Sequence, residues 1–272
     1  MNDIVNELAL TNLKPAETRL AAILARPRTI AITCVVALTA LGWSACGLML
    51  AGPSDAWRDA LCQPALARDF GLAGAALTYA MWAAMTLAMM LPTAGPMILT
   101  YAEIADTAAR KSERVISPVV LAAGYVAIWL GFALIASLLQ LLLMFSAPGN
   151  VAIVQTPLAG AIFLVAGLYQ FSALKHSCLT LCQRPFPFFF ANWTTAARGV
   201  FALGLRQGRY CLGCCWAMML VMFAVGTMNA LWMAALGVVM TIEKMTTTGH
   251  FSRVLGIVFV MIGIALIARE FT

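Results

Sequence analysis

The chain has 272 residues, of which 62% are hydrophobic and only 10% charged, with a mean hydropathy of +0.91 and a formal charge of +6. A soluble domain is nearer half apolar and a quarter charged, so an excess spread over several uncharged runs of about 20 residues marks a polytopic, all-α membrane protein. The positive charge falls mainly in loops without a dense basic block, which excludes nucleic acid as a partner and leaves the lipid bilayer.

Residues 1–28 carry Asp3, Glu7, Lys14, Glu17, Arg19, Arg26 and Arg28, too many charges for a cleaved secretory leader. They are read as a cytosolic tail. Residues 29–272 form a single transmembrane helical domain with no internal repeat. Its spans are expected at 29–50, 73–101, 118–145 and 156–174. The stretch 211–242 is uncharged, and one helix of that length would run about 48 Å against a hydrocarbon core of about 30 Å. It is therefore split near 226–229 into two short spans, and a last span follows at 251–268. The bundle has about seven spans, or six if one of these divisions fails.

Lysine and arginine place the N-terminus inside. The inside loops hold Arg110, Lys111 and Arg114, then Lys175, Arg184, Arg198, Arg206 and Arg209, then Lys244 and Arg253; the outside loops hold only Arg58 and Arg68. Such a chain is expected to be a multi-pass membrane protein. Residues 183–210 are too polar to span and too apolar for a free loop, so they are read as an interfacial segment. Its "RPFPFFFANW" lines up five aromatic rings suited to the headgroup zone, and two prolines argue against a regular helix there. A short amphipathic helix is expected at 194–207.

Eight cysteines are present, and five fall in two clusters. "KHSCLTLC" sets His176, Cys178 and Cys182 close together, with Cys178 and Cys182 on one helix face at i and i+4. "CLGCC" sets Cys211 before Cys214 and Cys215. Both clusters lie at inside ends of successive spans, so the topology brings them to one membrane level. Thiolates are soft ligands that favour Cu(I), zinc or iron–sulfur centres. Cysteine also packs as a small hydrophobe, the reading given to Cys34 and Cys46. A third role is disulfide exchange, because Cys211-x-x-Cys214 has redox spacing; against it, a cytosolic face is reducing.

Methionine continues the pattern. Met81, Met85 and Met89 recur every four residues, and Cys211, Cys215, Met218 and Met222 follow i, i+4, i+7, i+11 along one helix face. Thioethers bind Cu(I) weakly at any pH, which suits passing an ion along, although methionine is also a common filler of cores. Pro92 and Pro96 leave the carbonyls of Ala88 and Pro92 without helical donors, so this part of the second span should face protein and not lipid. Glu243 and Lys244 end a span as a snorkelling or a buried pair. Glycine-rich phosphate loops, HExxH and GxSxG are absent, and two histidines are too few for imidazole-rich metal chemistry.

The blocks "MWAAMTLAMMLPTAGPM", "LYQFSALKHSCLTLC" and "YCLGCCWAMMLVMFAVGTMNALWMAALGVVMTIEK" resemble a family of bacterial integral membrane proteins described as metal-binding, some of them labelled copper chaperones. The third block carries the specificity, with the cysteine triplet, Gly226, Asn229 and the Glu243-Lys244 pair in the family's order. The resemblance implies a multi-pass metal-binding protein of the bacterial cytoplasmic (inner) membrane. Residue chemistry and resemblance together give the expectation of a soft-metal site for Cu(I), with zinc as the second candidate. Its expected ligands are Cys178, Cys182, Cys211, Cys214 and Cys215 with His176, and Met218, Met222, Met81, Met85 and Met89 form a lower-affinity path. The cargo would cross the membrane or pass to a cuproenzyme or a periplasmic copper carrier. The alternative is a membrane thiol–disulfide oxidoreductase using Cys211 and Cys214.

Overall fold

The computed structural model describes residues 27–51, 71–146, 157–225, 230–246 and 249–269. The tail 1–26, Arg58, Cys62, Arg68 and the division at 226–229 lie outside these residues. Among the described residues the fold is all helical: α1 Pro27–Ala51, α2 Gly71–Arg110, α3 Pro118–Ser146, α4 Pro157–Tyr169, α5 Ala173–Gln183, α6 Pro185–Ala191, α7 Ala197–Val225, α8 Ala230–Met245 and α9 His250–Arg269.

Helices α2 and α7 form the centre, with 56% and 61% of their most apolar windows buried, against 17% in α1 and 22% in α9. Helix α1 lies along α2, α3 packs on both central helices, α4 and α5 lie on α7, and α9 pairs with α4. The outer faces are apolar: Leu134, Ile135, Leu138 and Leu142 on α3, and Val254, Ile257, Val258, Met261 and Ile264 on α9, are all exposed. Soluble monomers rarely display such continuous apolar surface, which is the natural boundary of a helix bundle with lipid.

Among the described residues, five helices are long and apolar enough to cross a membrane, and a sixth span arises if α4 and α5 are taken as one broken by a 65° bend. Helix α8 has 16 residues, about 24 Å, and falls short of a hydrocarbon core of about 30 Å. The expected span 156–174 ends early. The amides of Gln170, Phe171 and Ser172 turn back to the carbonyls of Gly167, Leu168 and Tyr169, and Ser172 then caps α5 by accepting from the Lys175 amide at 3.1 Å.

Two local expectations are corrected. The prolines of "RPFPFFFANW" do not prevent a helix, because Pro185 and Pro187 fall in the first turn of α6, where amides have no intrahelical partner. Phe189 is buried against Tyr101, with ring centroids 5.5 Å apart, which docks α6 on the end of α2. The helix expected at 194–207 is not separate from the span after it but is the first half of α7. The buried positions Val200, Leu203, Gly204, Gln207, Gly208 and Cys211 follow one helical stripe, so nothing interrupts it. Helix α2 likewise runs unbroken through Pro92 and Pro96.

Gly204 and Gly208 set the contact between α3 and α7. A Cβ at Gly204 would meet the carbonyl oxygen of Leu121, and one at Gly208 would lie 2.9 Å from the Ile128 side chain. Small residues four apart allow helices to approach backbone to backbone. Gly204→Ala is expected to destabilise the protein by about 1–3 kcal/mol through overpacking. Thermal unfolding in detergent micelles checks this, and an unchanged midpoint would contradict it.

Candidate metal centre

The inner face of α7 is a row of sulfur. Cys211, Cys214 and Cys215 are each 1–2% exposed, and Met218 and Met222 continue the row fully buried. The helical repeat explains this, because positions 211, 215, 218 and 222 fall on one stripe and 214 on its edge. The three cysteine Sγ atoms all lie within 4.8 Å of one another. Cys214 Sγ is 3.3 Å from Cys215 Sγ, and it donates to the carbonyl oxygen of Cys211 at 3.2 Å.

Two other helices reach Cys211, and α2 backs them. Tyr125 of α3 brings its hydroxyl 2.9 Å from the Cys211 sulfur, and the same hydroxyl donates to the Met90 carbonyl of α2 at 3.1 Å. Lys244 of α8 donates from Nζ to Cys211 Sγ at 2.9 Å and to Thr93 Oγ1 of α2 at 2.6 Å. Thr93 donates in turn to the Met90 carbonyl at 2.8 Å. The turn of α2 beside Pro92 therefore faces the thiols and not lipid. Lys244, read from sequence as an inside-loop charge, points into the protein, because its stem folds along the core towards the sulfur.

The second cysteine cluster meets the first through Cys182, whose Sγ is 4.0 Å from that of Cys214. Cys178 goes elsewhere: a Cβ at Gly213 would lie 2.6 Å from the Cys178 sulfur, and Gly213 faces away from the row of Cys211 and Cys215. Tyr169 donates to the Gly213 carbonyl at 2.5 Å, so the bend before α5 is fastened to the triplet's own backbone. The ring of His176 sits near Gly249 at the start of α9, where a Cβ would be 3.9 Å from it; it is not among the grouped ligand atoms. On α2, Met81, Met85 and Met89 are buried as a row, beside Met90. Helix α8 adds the buried Met233 and Met240, with Met89 packed near Gly237 between them.

Two sulfurs sharing one ion, each at a bond length of about 2.3 Å, can stand at most about 4.6 Å apart. The separations of 3.3 Å and 4.0 Å meet that limit. An all-sulfur donor set suits a soft ion, so the residues fit a copper-like cargo. All the described cysteines are free thiols.

A family model described as PpoB2, copper chaperone, matches residues 79–266. The chain belongs to this copper chaperone family. No curated protein and no solved structure matches it. The matched region runs from α2 into α9 and takes in every residue of the thiol cluster, while α1 lies before it.

Within this family member, one further polar cluster holds the helices around the thiols. Lys175 of α5 and Glu243 of α8 form an ion pair at 2.9 Å, with side chains 0% and 1% exposed. Ser252 of α9 donates to the same carboxylate at 2.6 Å. Gln183, at the end of α5, donates to the carbonyls of Glu243 and Thr246 at 3.0 and 2.8 Å. Lys175, counted from sequence among the inside-loop charges, is thus a core residue: charges are buried only when paired. Glu243 and Lys244 are neighbours that face opposite ways, one gathering α5 and α9 and the other α2 and α7.

Nothing local marked Tyr125, Thr93 or Lys175 as members of this polar network, since their contacts with Cys211, Lys244 and Glu243 span 68 to 151 residues of chain. Only the ionisable pair at 243–244 gave a usable signal.

Proposed function

We propose that this chain binds Cu(I) as cargo at the thiol cluster and carries it within the bacterial inner membrane, moving it across or handing it to a cuproenzyme or a periplasmic carrier. The observation that supports this best is the buried triplet Cys211, Cys214 and Cys215 with Cys182 brought to its edge from another helix. The family's description as copper chaperone supports copper as the metal; zinc would suit the same sulfurs but lacks that support. The ligands are Cys211, Cys214, Cys215 and Cys182, and the buried Met218, Met222, Met81, Met85 and Met89 supply weaker sites for onward passage. Cys178 and His176 border the site without joining the cluster. The N-terminus lies inside, and α8 completes a seven-span topology as a short sixth span.

The disulfide-exchange alternative needs a thiolate that a substrate disulfide can reach. Thiols 1–2% exposed beneath four helices admit a small ion far more readily than a protein disulfide. Elemental analysis of the purified protein from copper-replete cells tests the proposal. The parent should carry stoichiometric copper, and a variant with serine at 178, 182, 211, 214 and 215 should carry none. Retention of the parental amount by that variant would sink the proposal.

A further inference from the structure

Lys244 places a cation against the sulfur of Cys211 inside a buried site, and that contact carries a consequence for the charge of the ion accepted. The ammonium is held by Cys211 Sγ at 2.9 Å and Thr93 Oγ1 at 2.6 Å. Its neighbour in sequence does not offset it, because Glu243 is engaged by Lys175 and Ser252. The remaining polar group on Cys211, the Tyr125 hydroxyl, is neutral in this role. The sulfurs of Cys211, Cys214 and Cys215 lie within 4.8 Å of one another, so the ammonium beside Cys211 acts on an ion held by any of them.

Charge then decides. The ammonium repels any cation held on these sulfurs, and the repulsion grows with the ion's charge, so it penalises a divalent ion about twice as much as a monovalent one whichever of the sulfurs are ligands. Without the ammonium that penalty is lifted, and the divalent ion gains more than the monovalent one. We propose that Lys244 is the specificity-determining residue that makes this thiol site select monovalent over divalent soft ions. A metal-bound thiolate still accepts a hydrogen bond, so the lysine stays in place beside the ion, in the manner of a partner that orients and tunes a ligand. This rests on the reading of the thiol cluster as the cargo site.

The test uses the full-length protein in detergent micelles with Ag(I) and Cd(II), which have the same electron count and differ in charge. Each affinity is measured by competition with a chelator, and the quantity read is the ratio of the two affinities within one protein preparation. In Lys244→Met the ratio should move towards Cd(II) by at least about tenfold relative to the parent, and Lys244→Gln should do the same. Lys244→Arg, which keeps the charge, should hold the ratio within about threefold. An unchanged ratio in both neutral variants overturns the role of Lys244 while leaving the thiol site standing. Parental affinities for both ions in a Cys211→Ser/Cys215→Ser variant overturn the site itself and this inference with it.

Discussion

Cys211→Ser is expected to weaken Cu(I) binding by at least about a hundredfold, whereas Cys178→Ser should change it by no more than about threefold. Structural four-ligand thiolate or imidazole sites are worth about 10–16 kcal/mol, so one ligand contributes about 3 kcal/mol, or roughly two orders of magnitude. Serine offers a hard oxygen in place of a soft sulfur. Cys211 is also the sulfur on which Lys244 and Tyr125 converge, so its loss leaves the ammonium without its anionic partner. Cys178 packs instead against Gly213, and serine there costs only a modest change in packing. Competition against a chromophoric Cu(I) chelator, run on both variants, separates the two roles. Equal losses at positions 178 and 211 would show that the two clusters act as one undivided site.

The second large effect concerns the Lys175–Glu243 pair. Lys175→Met should destabilise the folded protein by about 3–5 kcal/mol, because it strands a carboxylate in a position where water cannot replace the lost ammonium. Lys175→Met/Glu243→Met should recover most of that loss, since both charges then leave the interior together and the volumes are roughly preserved. Chemical unfolding in micelles, followed by tryptophan fluorescence, reads both variants. A single variant as stable as the parent would mean that the carboxylate is reached by solvent, contrary to its 1% exposure. A double variant no better than the single would mean that Ser252 or Gln183 depends on the charge.

How much of this was legible in the chain depends on distance along it. The spans at 29–50, 118–145 and 251–268 match α1, α3 and α9 closely, since long uncharged runs leave a helix few alternatives in lipid. The cysteine triplet and its methionine continuation were also legible, because the helical repeat alone puts them on one face. The break after Tyr169 was not, since Gln170-Phe171-Ser172 contains neither glycine nor proline and the turn is settled by the cap at Ser172 and by packing. Lys175 and Lys244 were counted as inside charges, as a lysine near a span end looks the same in sequence whether it snorkels outward or pairs inward. Only the arrival of Glu243 beside one and Cys211 beside the other decides it. The meeting of Cys182 with Cys214 likewise depends on α5 folding back along α7, and on Gly213 having no side chain in the way.

The near-complete burial of the triplet has a consequence for time rather than for strength. An ion lodged among sulfurs that solvent scarcely touches leaves only when the surrounding helices part, so its dwell time follows the opening of the bundle and not diffusion through water. A receiving protein that pries α5 from α7 would then shorten that wait without altering a single metal–sulfur bond.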